Sequence, residues 1–261
     1  MAILPFSKWQ GTGNDFILVD DRAGTLAADP VALARRLCDR HFGVGSDGLI
    51  LLQQPRETGT DFHMDFLNPD GSRSFCGNGS RCAFAFRSTL LGDRSAARFT
   101  AIDGMHTAQW TNGEVEVSMR DVQAIERLDE HVDFIHTGSP HLVVYVEDPV
   151  AMDIVPAAHG YRYGPRFAKD GVNVNFVRWH GGQVEMRTYE RGVEAETLSC
   201  GTGVTAAALS AMHRGLAAPE CAVQAPGGKL RVRAEASGGG FRAISLQGAV
   251  KEVFHGEIGV G

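Results

Sequence analysis

Two short stretches of this sequence, Cys76-Gly77-Asn78-Gly79 and Cys200-Gly201-Thr202-Gly203, each place a thiol before a two-glycine turn. An apolar, alanine-rich run follows each of them, residues 80–91 and 204–214, and stops at Gly92 or Gly215. A helix that starts at such a turn leaves its first N–H groups without intrahelical partners. Those donors and the positive end of the helix dipole favour a bound anion, and they favour the thiolate form of a cysteine beside them. Two such sites in one chain suggest a pair of acid/base thiols facing one anionic substrate.

Three chemistries use a reactive thiol: nucleophilic attack, disulfide exchange and proton transfer. A nucleophilic cysteine usually works with a histidine base, not with a second equivalent cysteine. Disulfide exchange favours a close pair such as C-x-x-C, whereas 124 residues separate these two. Proton transfer across the two faces of one carbon needs two groups of the same kind, one as base and one as acid. That is the logic of racemases and epimerases that work without a cofactor. The paired helix starts would also hold an α-carboxylate and stabilise the charge that develops as the proton leaves. A thiol redox sensor without turnover is the rival of a different class. The remaining cysteines read as structural. Cys38 falls on the buried stripe of a helix and Cys221 reads as core. Cys82 lies about 240° around the helix from Cys76, which is not metal-ligand spacing, and no metal site is expected.

The duplication is wider than the motif. Gly104 and Gly228 are 124 residues apart, as the two thiols are. Phe62–Asn68 aligns with Val184–Glu190 at an offset of 122, Thr12-Gly13-Asn14 with Thr137-Gly138-Ser139 at 125, and Asp29–Leu33 with Asp148–Met152 at 119. Matched segments in the same order denote one supersecondary plan used twice, at a period far above that of a solenoid repeat. The expected domains are 1–125, carrying Cys76, and 126–248, carrying Cys200, with the tail at about 249–261 returning to the first.

These motifs need elements to hold them. Phe16–Asp20 predicts a strand by its apolar, β-branched content. Asp29 caps a helix with Pro30 at its first position and Val31, Leu33, Ala34, Leu37 and Cys38 on its buried stripe, and Gly43 closes it. Gly43-Val-Gly45-Ser-Asp-Gly48 matches the dinucleotide fingerprint as a bare pattern, but it follows a helix and opens the strand Leu49–Leu52, the wrong context for a nucleotide. Strands are expected at Phe62–Leu67, around 99–102 and at 115–119, with a turn at Asn68-Pro-Asp-Gly71. The second half repeats the order: a strand at His141–Val146, a short helix from Pro149 to Ala158, and strands at Asn173–Val177 and Val184–Tyr189. After the second thiol come strands near 222–224 and 230–233, a loop tip at Gly238–Gly240, and a weakly alternating last strand at Ala249–Phe254.

At 261 residues, with 43% hydrophobic and 21% charged residues, the composition is that of a globular protein with material for a sizeable core. The net charge of −6 and the absence of an aromatic-interleaved basic patch argue against nucleic acid. No apolar run approaches a membrane span, and the first residues lack the charged n-region and long apolar core of a signal peptide. Five cysteines, an odd number in a chain too large to need stapling, fit a reducing cytoplasm.

Gly11-Thr-Gly-Asn-Asp-Phe16, Asn68-Pro-Asp-Gly-Ser72, Cys76-Gly-Asn-Gly-Ser-Arg81 and Tyr189-Glu-Arg-Gly192, followed by Glu196-Thr-Leu-Ser-Cys-Gly-Thr-Gly203, resemble diaminopimelate epimerases. The resemblance runs in order from about residue 8 to the C-terminus. It implies an α/β (α+β) fold of two pseudo-symmetric domains, each a β-barrel-like sheet around a central helix, with the active site in the cleft between them. It implies interconversion of LL- and meso-diaminopimelate, for lysine and peptidoglycan, by a two-base mechanism without pyridoxal phosphate, metal or other cofactor. By the same resemblance Cys76 and Cys200 are the bases, and Gly77, Asn78, Gly201 and Thr202 bind the reacting carboxylate. Asn14, Asn68, Asn173, Glu190 and Arg191 match positions that grip the rest of the substrate. His141 and Glu190 match positions that adjust thiol protonation, and a homodimer is implied. Three departures touch recognition: Ser139 where asparagine is usual, Gly48 where many members carry glutamine, and a turn Gly192–Glu196 one residue longer than usual. The alternative on this fold is a racemase of another amino acid. Asn78, where proline racemases carry histidine, argues against that branch.

Overall fold

In the computed structural model the structure describes residues 2–26 and 29–260; Met1, Ala27, Ala28 and Gly261, which the expected domain ranges include, lie outside the described residues. The chain divides into two compact units, Met1–Val117 with Gly248–Gly261, and Ser118–Gln247. The first unit runs β1 (Ala2–Gly11), β2 (Asn14–Asp20), α1 (Pro30–Cys38), β3 (Gly48–Gln53), β4 (Phe62–Leu67), α2 (Gly77–Leu91), β5 (Ala97–Ala101), β6 (Gly104–Thr111) and β7 (Glu114–Ser118). The second runs β8 (Ile125–Arg127), β9 (Val132–His136), β10 (Pro140–Tyr145), α3 (Ile154–Arg162), β11 (Asn173–His180), β12 (Gln183–Glu190), β13 (Ala195–Thr197), α4 (Gly201–His213), β14 (Glu220–Ala225), β15 (Gly228–Ser237) and β16 (Gly240–Gly248). The last strand, β17 (Lys251–Val260), pairs antiparallel with β1 in the first unit.

Both units pair their strands by one rule, giving a mixed α+β architecture. In the first, β1–β2 is antiparallel, β2–β3 parallel, β3–β4 antiparallel, β4–β5 parallel and β5–β6 antiparallel. The second repeats this as β9–β10, β10–β11, β11–β12, β12–β14 and β14–β15. The registers agree to the residue: Phe16 sits beside Gly48 in the first unit, and His141 beside Asn173 in the second, each 125 positions on.

Local chemistry explains the helices. Asp29 accepts from the N–H groups of Val31 and Ala32 at 3.1 and 3.3 Å, and Pro30 needs no such partner. Leu33, Ala34, Leu37 and Cys38 then pack on Ile17, Val19, Leu49 and Leu51. The two central helices are different in kind. In α2 every residue from Gly77 to Ser88 is buried, and in α4 every residue from Gly201 to Ala211. A helix buried all round must be surrounded by the sheet that precedes and follows it. Gly92 ends α2 in the left-handed conformation at φ 62°, where its N–H returns to the Ser88 carbonyl.

The expected helix at 149–158 lies further on, at Ile154–Arg162. Pro156 is the reason: it lacks an N–H and fits only in the first helical turn, so the helix starts just before it. Residues 148–150 form a turn instead, closed by Asp148 on the Val150 N–H at 2.9 Å. Strands β1, β6, β8, β9, β13 and β16 have no expectation behind them. β8 and β13 are three residues each, and β1 carries Pro5, yet β2 and β17 flank β1 on both sides and fix it as a strand.

Gly48 has a steric reason. A Cβ there would meet Cε2 of the buried Phe66 at 2.3 Å and the Leu67 carbonyl oxygen at 3.0 Å. The aromatic ring fills the space a longer side chain would take. Gly48→Gln is therefore expected to destabilise the fold by about 1–3 kcal/mol through overpacking, as a lower urea midpoint at unchanged slope. An unchanged midpoint would show that Phe66 yields freely.

Candidate active site

Cys76 is the N-cap residue of α2, with extended backbone at φ −131° and ψ 109°. That conformation turns its side chain back over the helix start, where the sulfur accepts the Gly79 N–H at 3.3 Å. Asn78, fully buried, donates Nδ2 to Asn14 Oδ1 at 3.0 Å, and Asn14 donates to Asp47 Oδ2 at 2.7 Å. Gly77 and Asn78 are the first two residues of α2, at the end where a helix supplies no intrahelical acceptor to its N–H groups. Asn68 stands apart from this chain of bonds. Its Nδ2 is held by its own turn, on Ser72 Oγ at 3.1 Å and Ser74 Oγ at 3.2 Å.

Cys200 caps α4 with the same backbone, φ −114° and ψ 113°, and its environment differs. Thr202 Oγ1 lies 3.4 Å from the sulfur and 2.9 Å from His141 Nε2. Asn175 settles the hydrogens. Its Nδ2 donates to the Leu142 carbonyl at 2.8 Å, and its Oδ1 accepts from Thr188 at 3.0 Å. Nδ2 also faces His141 Nδ1 at 3.2 Å, so that ring nitrogen is the acceptor and Nε2 carries the proton. Nε2–H then donates to Thr202 Oγ1, which leaves the threonine hydrogen for the Cys200 sulfur. Burial drives the His141 pKa down to about 3, so this imidazole acts as a neutral donor.

The Asn173 side chain links to the turn that bears the remaining substrate candidates. Its Oδ1 accepts the Arg191 N–H at 2.9 Å, and its Nδ2 donates to Ser139 Oγ at 2.8 Å and to the Pro140 carbonyl at 3.0 Å. Ser139, the residue that departs from the usual asparagine, thus supplies an acceptor to Asn173. The Arg191 guanidinium donates Nη1 to the Asp170 carbonyl at 2.7 Å. Glu190 Oε1 accepts from Thr197 at 2.5 Å. The turn 192–196 closes around Glu194, which is at φ 56° and receives Arg162, Tyr163, Tyr189 and the Gly192 N–H. Although burial opposes it, those four donors, Arg162 foremost, hold the Glu194 carboxylate down to about 2.

Sequence reading assigned no role to Thr12, Arg81, Asn175, Thr188, Glu194 or Thr197. Asn175 carried a usable signal: one amide amid the apolar strand residues Val174, Phe176 and Val177, where a buried polar group must have a partner. The other cysteines are unlike the capping pair. Burial pushes Cys82 up to about 12 and Cys221 up to about 11, and raises Cys38. Among the described residues no group of three or more His, Cys, Asp or Glu is arranged to hold a metal, and no helix is long and apolar enough to cross a membrane.

Two buried neutral histidines give a pH prediction. His141 falls to about 3 and His63, also lowered first by burial, to about 4, against an ordinary value of 6.5. The unfolded chain therefore binds protons below about 6.5 that the folded chain refuses, so the contribution is complete above that pH and is lost on descent toward about 3. Acidification through this window is expected to remove on the order of a few kcal/mol of stability. The loss should shrink in His63→Gln. An identical acid profile in wild type and variant would refute the assignment for His63.

The sequence pattern of the family described as diaminopimelate epimerase matches residues 6–125 and 134–252. Proteins named diaminopimelate epimerase are similar along almost the whole chain. That of Flavobacterium psychrophilum is 40% identical, covering 96% of this chain and 98% of its own, and that of Aquifex aeolicus 36%, covering 98% of each. Among solved structures, a hydroxyproline epimerase from Agrobacterium vitis superposes with a TM-score of 0.75 at 17% identity, over 99% of this chain and 91% of that one. A Bacillus anthracis phenazine biosynthesis protein gives 0.75 at 13%, over 100% of both. At these identities the structural likeness speaks for the fold alone.

Proposed function

Because the chain belongs to the diaminopimelate epimerase family, we propose that it is an isomerase that interconverts LL- and meso-diaminopimelate with Cys76 and Cys200 as its two bases. The carrying observation is that each unit caps its buried helix with a cysteine and directs a donor at the sulfur, the Gly79 N–H in one and the Thr202 hydroxyl in the other. One thiolate removes the α-proton, and the other thiol delivers a proton to the opposite face of the carbon. The helix starts at Gly77-Asn78 and Gly201-Thr202, with their N–H groups and positive dipole ends, suit the reacting carboxylate, and they strengthen their hold as charge moves onto it.

The other substrate contacts follow from the same reading. Arg191 offers a planar fork to the distal carboxylate, and among the described residues it is paired with no carboxylate of the protein. Asn14, Asn68, Asn173 and Glu190 supply polar groups for the distal amino acid. His141 acts on Cys200 through Thr202 rather than as a charged group. The enzyme acts in the cytoplasm on a free amino acid and pairs with a second copy of itself, which sedimentation equilibrium tests.

The decisive experiment incubates the protein with LL-diaminopimelate in deuterated buffer and follows the α-proton by NMR, beside a panel of other amino acids. Exchange coupled to appearance of the meso form supports the reading. Exchange confined to another amino acid supports a racemase, and no exchange with any of them leaves a thiol sensor.

A further inference from the structure

We propose that Arg81 and Asp47 are positioning residues that fix, from its two ends, a one-way chain of hydrogen bonds through Asn78 and Asn14. The amide of Asn14 is thereby oriented before substrate arrives. The proposal deepens the epimerase reading and rests on it for its role in turnover.

The chain joins three places in the first unit. Arg81 Nη2 on α2 donates to Asn78 Oδ1 at 2.6 Å, and Asn78 Nδ2 donates to Asn14 Oδ1 at 3.0 Å. Asn14 opens β2, and its Nδ2 donates at 2.7 Å to Oδ2 of Asp47, the residue just ahead of β3. An asparagine amide can present either its oxygen or its nitrogen, and its neighbours decide which. Here the two ends decide for both amides, because a guanidinium only donates and an ionised carboxylate only accepts. Reversing Asn78 sets N–H against N–H at Arg81. Reversing Asn14 sets oxygen against oxygen at Asp47, and reversing both creates the two clashes together. Only the direction from Arg81 to Asp47 leaves every donor on an acceptor.

Each end is itself held. The Asp47 N–H donates to the Asp15 carbonyl at 2.9 Å, and the Asp15 N–H returns to Asp47 Oδ2 at 3.2 Å. The Arg40 guanidinium takes the other carboxylate oxygen at 2.7 Å. Those donors keep the Asp47 carboxylate ionised at neutral pH, although burial raises its pKa. Arg81 is 0% exposed, and beyond Asn78 it donates to Thr12 Oγ1 at 2.8 Å and to the Ala249 carbonyl at 3.1 Å.

Thr12 is a second, independent observation. With Gly13 it forms the two-residue turn between β1 and β2, at φ 56° and 86°. A β-branched residue is strained at positive φ. Such strain persists only where surrounding contacts over-determine it, and it gathers at functional sites. Arg81 thus grips both the strained turn that delivers Asn14 and the amide that Asn14 meets.

At the equivalent positions the second unit carries neither the amides nor the two anchors. At offsets of 124 and 125, Arg81 corresponds to Thr205, Asn78 to Thr202, Asn14 to Ser139 and Asp47 to Val172. Thr205 returns its hydroxyl to the Gly201 carbonyl at 2.9 Å, and Val172 is buried. A hydroxyl rotates to suit its partner and needs no fixed neighbour to orient it. The anchors occur in the unit that has amides to orient.

The test labels the protein with [15N]asparagine and follows the side-chain amide signals of Asn14 and Asn78 by NMR, assigned through Asn14→Ser and Asn78→Ser. In the wild type without substrate, both amides are expected to be protected from exchange with solvent. In Asp47→Ala the Asn14 amide loses that protection, while Asn78, still on Arg81, keeps it. Arg81→Met reverses the pattern. The Asp47 side chain is 37% exposed, so its variant disturbs little core and decides the case if Arg81→Met does not fold. KM for LL-diaminopimelate should rise about 3- to 10-fold in Asp47→Ala, the cost of ordering a freed side chain on binding, with kcat little changed. Asp47→Asn, which keeps an acceptor oxygen, should recover most of that loss. An unprotected Asn14 in the wild type, an unmoved Asn14 signal in folded Asp47→Ala, or an unchanged KM in that variant overturns the proposal. The NMR measurement requires no turnover, so the two readings fail separately. Absence of α-proton exchange beside the expected amide losses sinks the epimerase, and intact exchange with unmoved amides sinks the two anchors.

Discussion

Cys76→Ala and Cys200→Ala are each expected to cripple epimerisation, with losses of up to about 10⁴-fold, because general acid and general base are each worth up to that much. A proton must arrive on the face opposite the one it left, so neither thiol can serve both roles. Each variant should still eliminate halide from a β-halogenated analogue of one stereoisomer, a reaction that needs only the remaining base. The two variants should prefer opposite stereoisomers. Chiral chromatography of the products and halide release measure both effects. Residual epimerisation near the wild-type rate in either variant would falsify the two-base mechanism.

Lysine is expected to be turned over on the order of 10⁴-fold less efficiently than LL-diaminopimelate, the discrimination typical of a site built around a polar group its competitor lacks. Lysine has the ammonium of the distal centre without its carboxylate, which would leave the Arg191 fork unmatched. Arg191 reaches its position through two bonds, Asn173 on its N–H at 2.9 Å and the Asp170 carbonyl on Nη1 at 2.7 Å. Arg191→Lys keeps the charge, loses the bidentate geometry, and should lower kcat/KM for diaminopimelate while leaving thiol alkylation unchanged. Comparable kcat/KM on lysine and diaminopimelate would favour the racemase alternative.

The strands and helices that hold the thiols were legible because their signals are local. Asp29-Pro30 starts a helix through a side-chain cap and a residue that needs no N–H partner, and α1 begins there. Phe62–Leu67 is a strand at both of its expected ends. The helix around 154 was misplaced for a local reason too, since Pro149 and Pro156 are both admissible at a helix start and only the packing of Ile154 and Ala158 on Phe176 and Tyr189 selects the second. Strand β1 was silent for a different reason, because its partners β2 and β17 lie at opposite ends of the sequence.

The sequence by itself determined the duplicated plan, the two capping thiols and the family motifs, all of which are written in short stretches and in constant offsets between them. Tertiary structure decided what stands behind each thiol. Arg81 and Thr205 occupy equivalent helix positions, yet only folding shows that one is a buried guanidinium held on Asn78 and Thr12 and the other a hydroxyl returned to the Gly201 carbonyl. The path from Asn175 through His141 and Thr202 to Cys200 joins residues from three separate elements. A hydrogen bond depends on distances of a few tenths of an ångström and on the direction of each donor. No spacing along a chain encodes that geometry, and the packing of β10, β11 and α4 alone sets it.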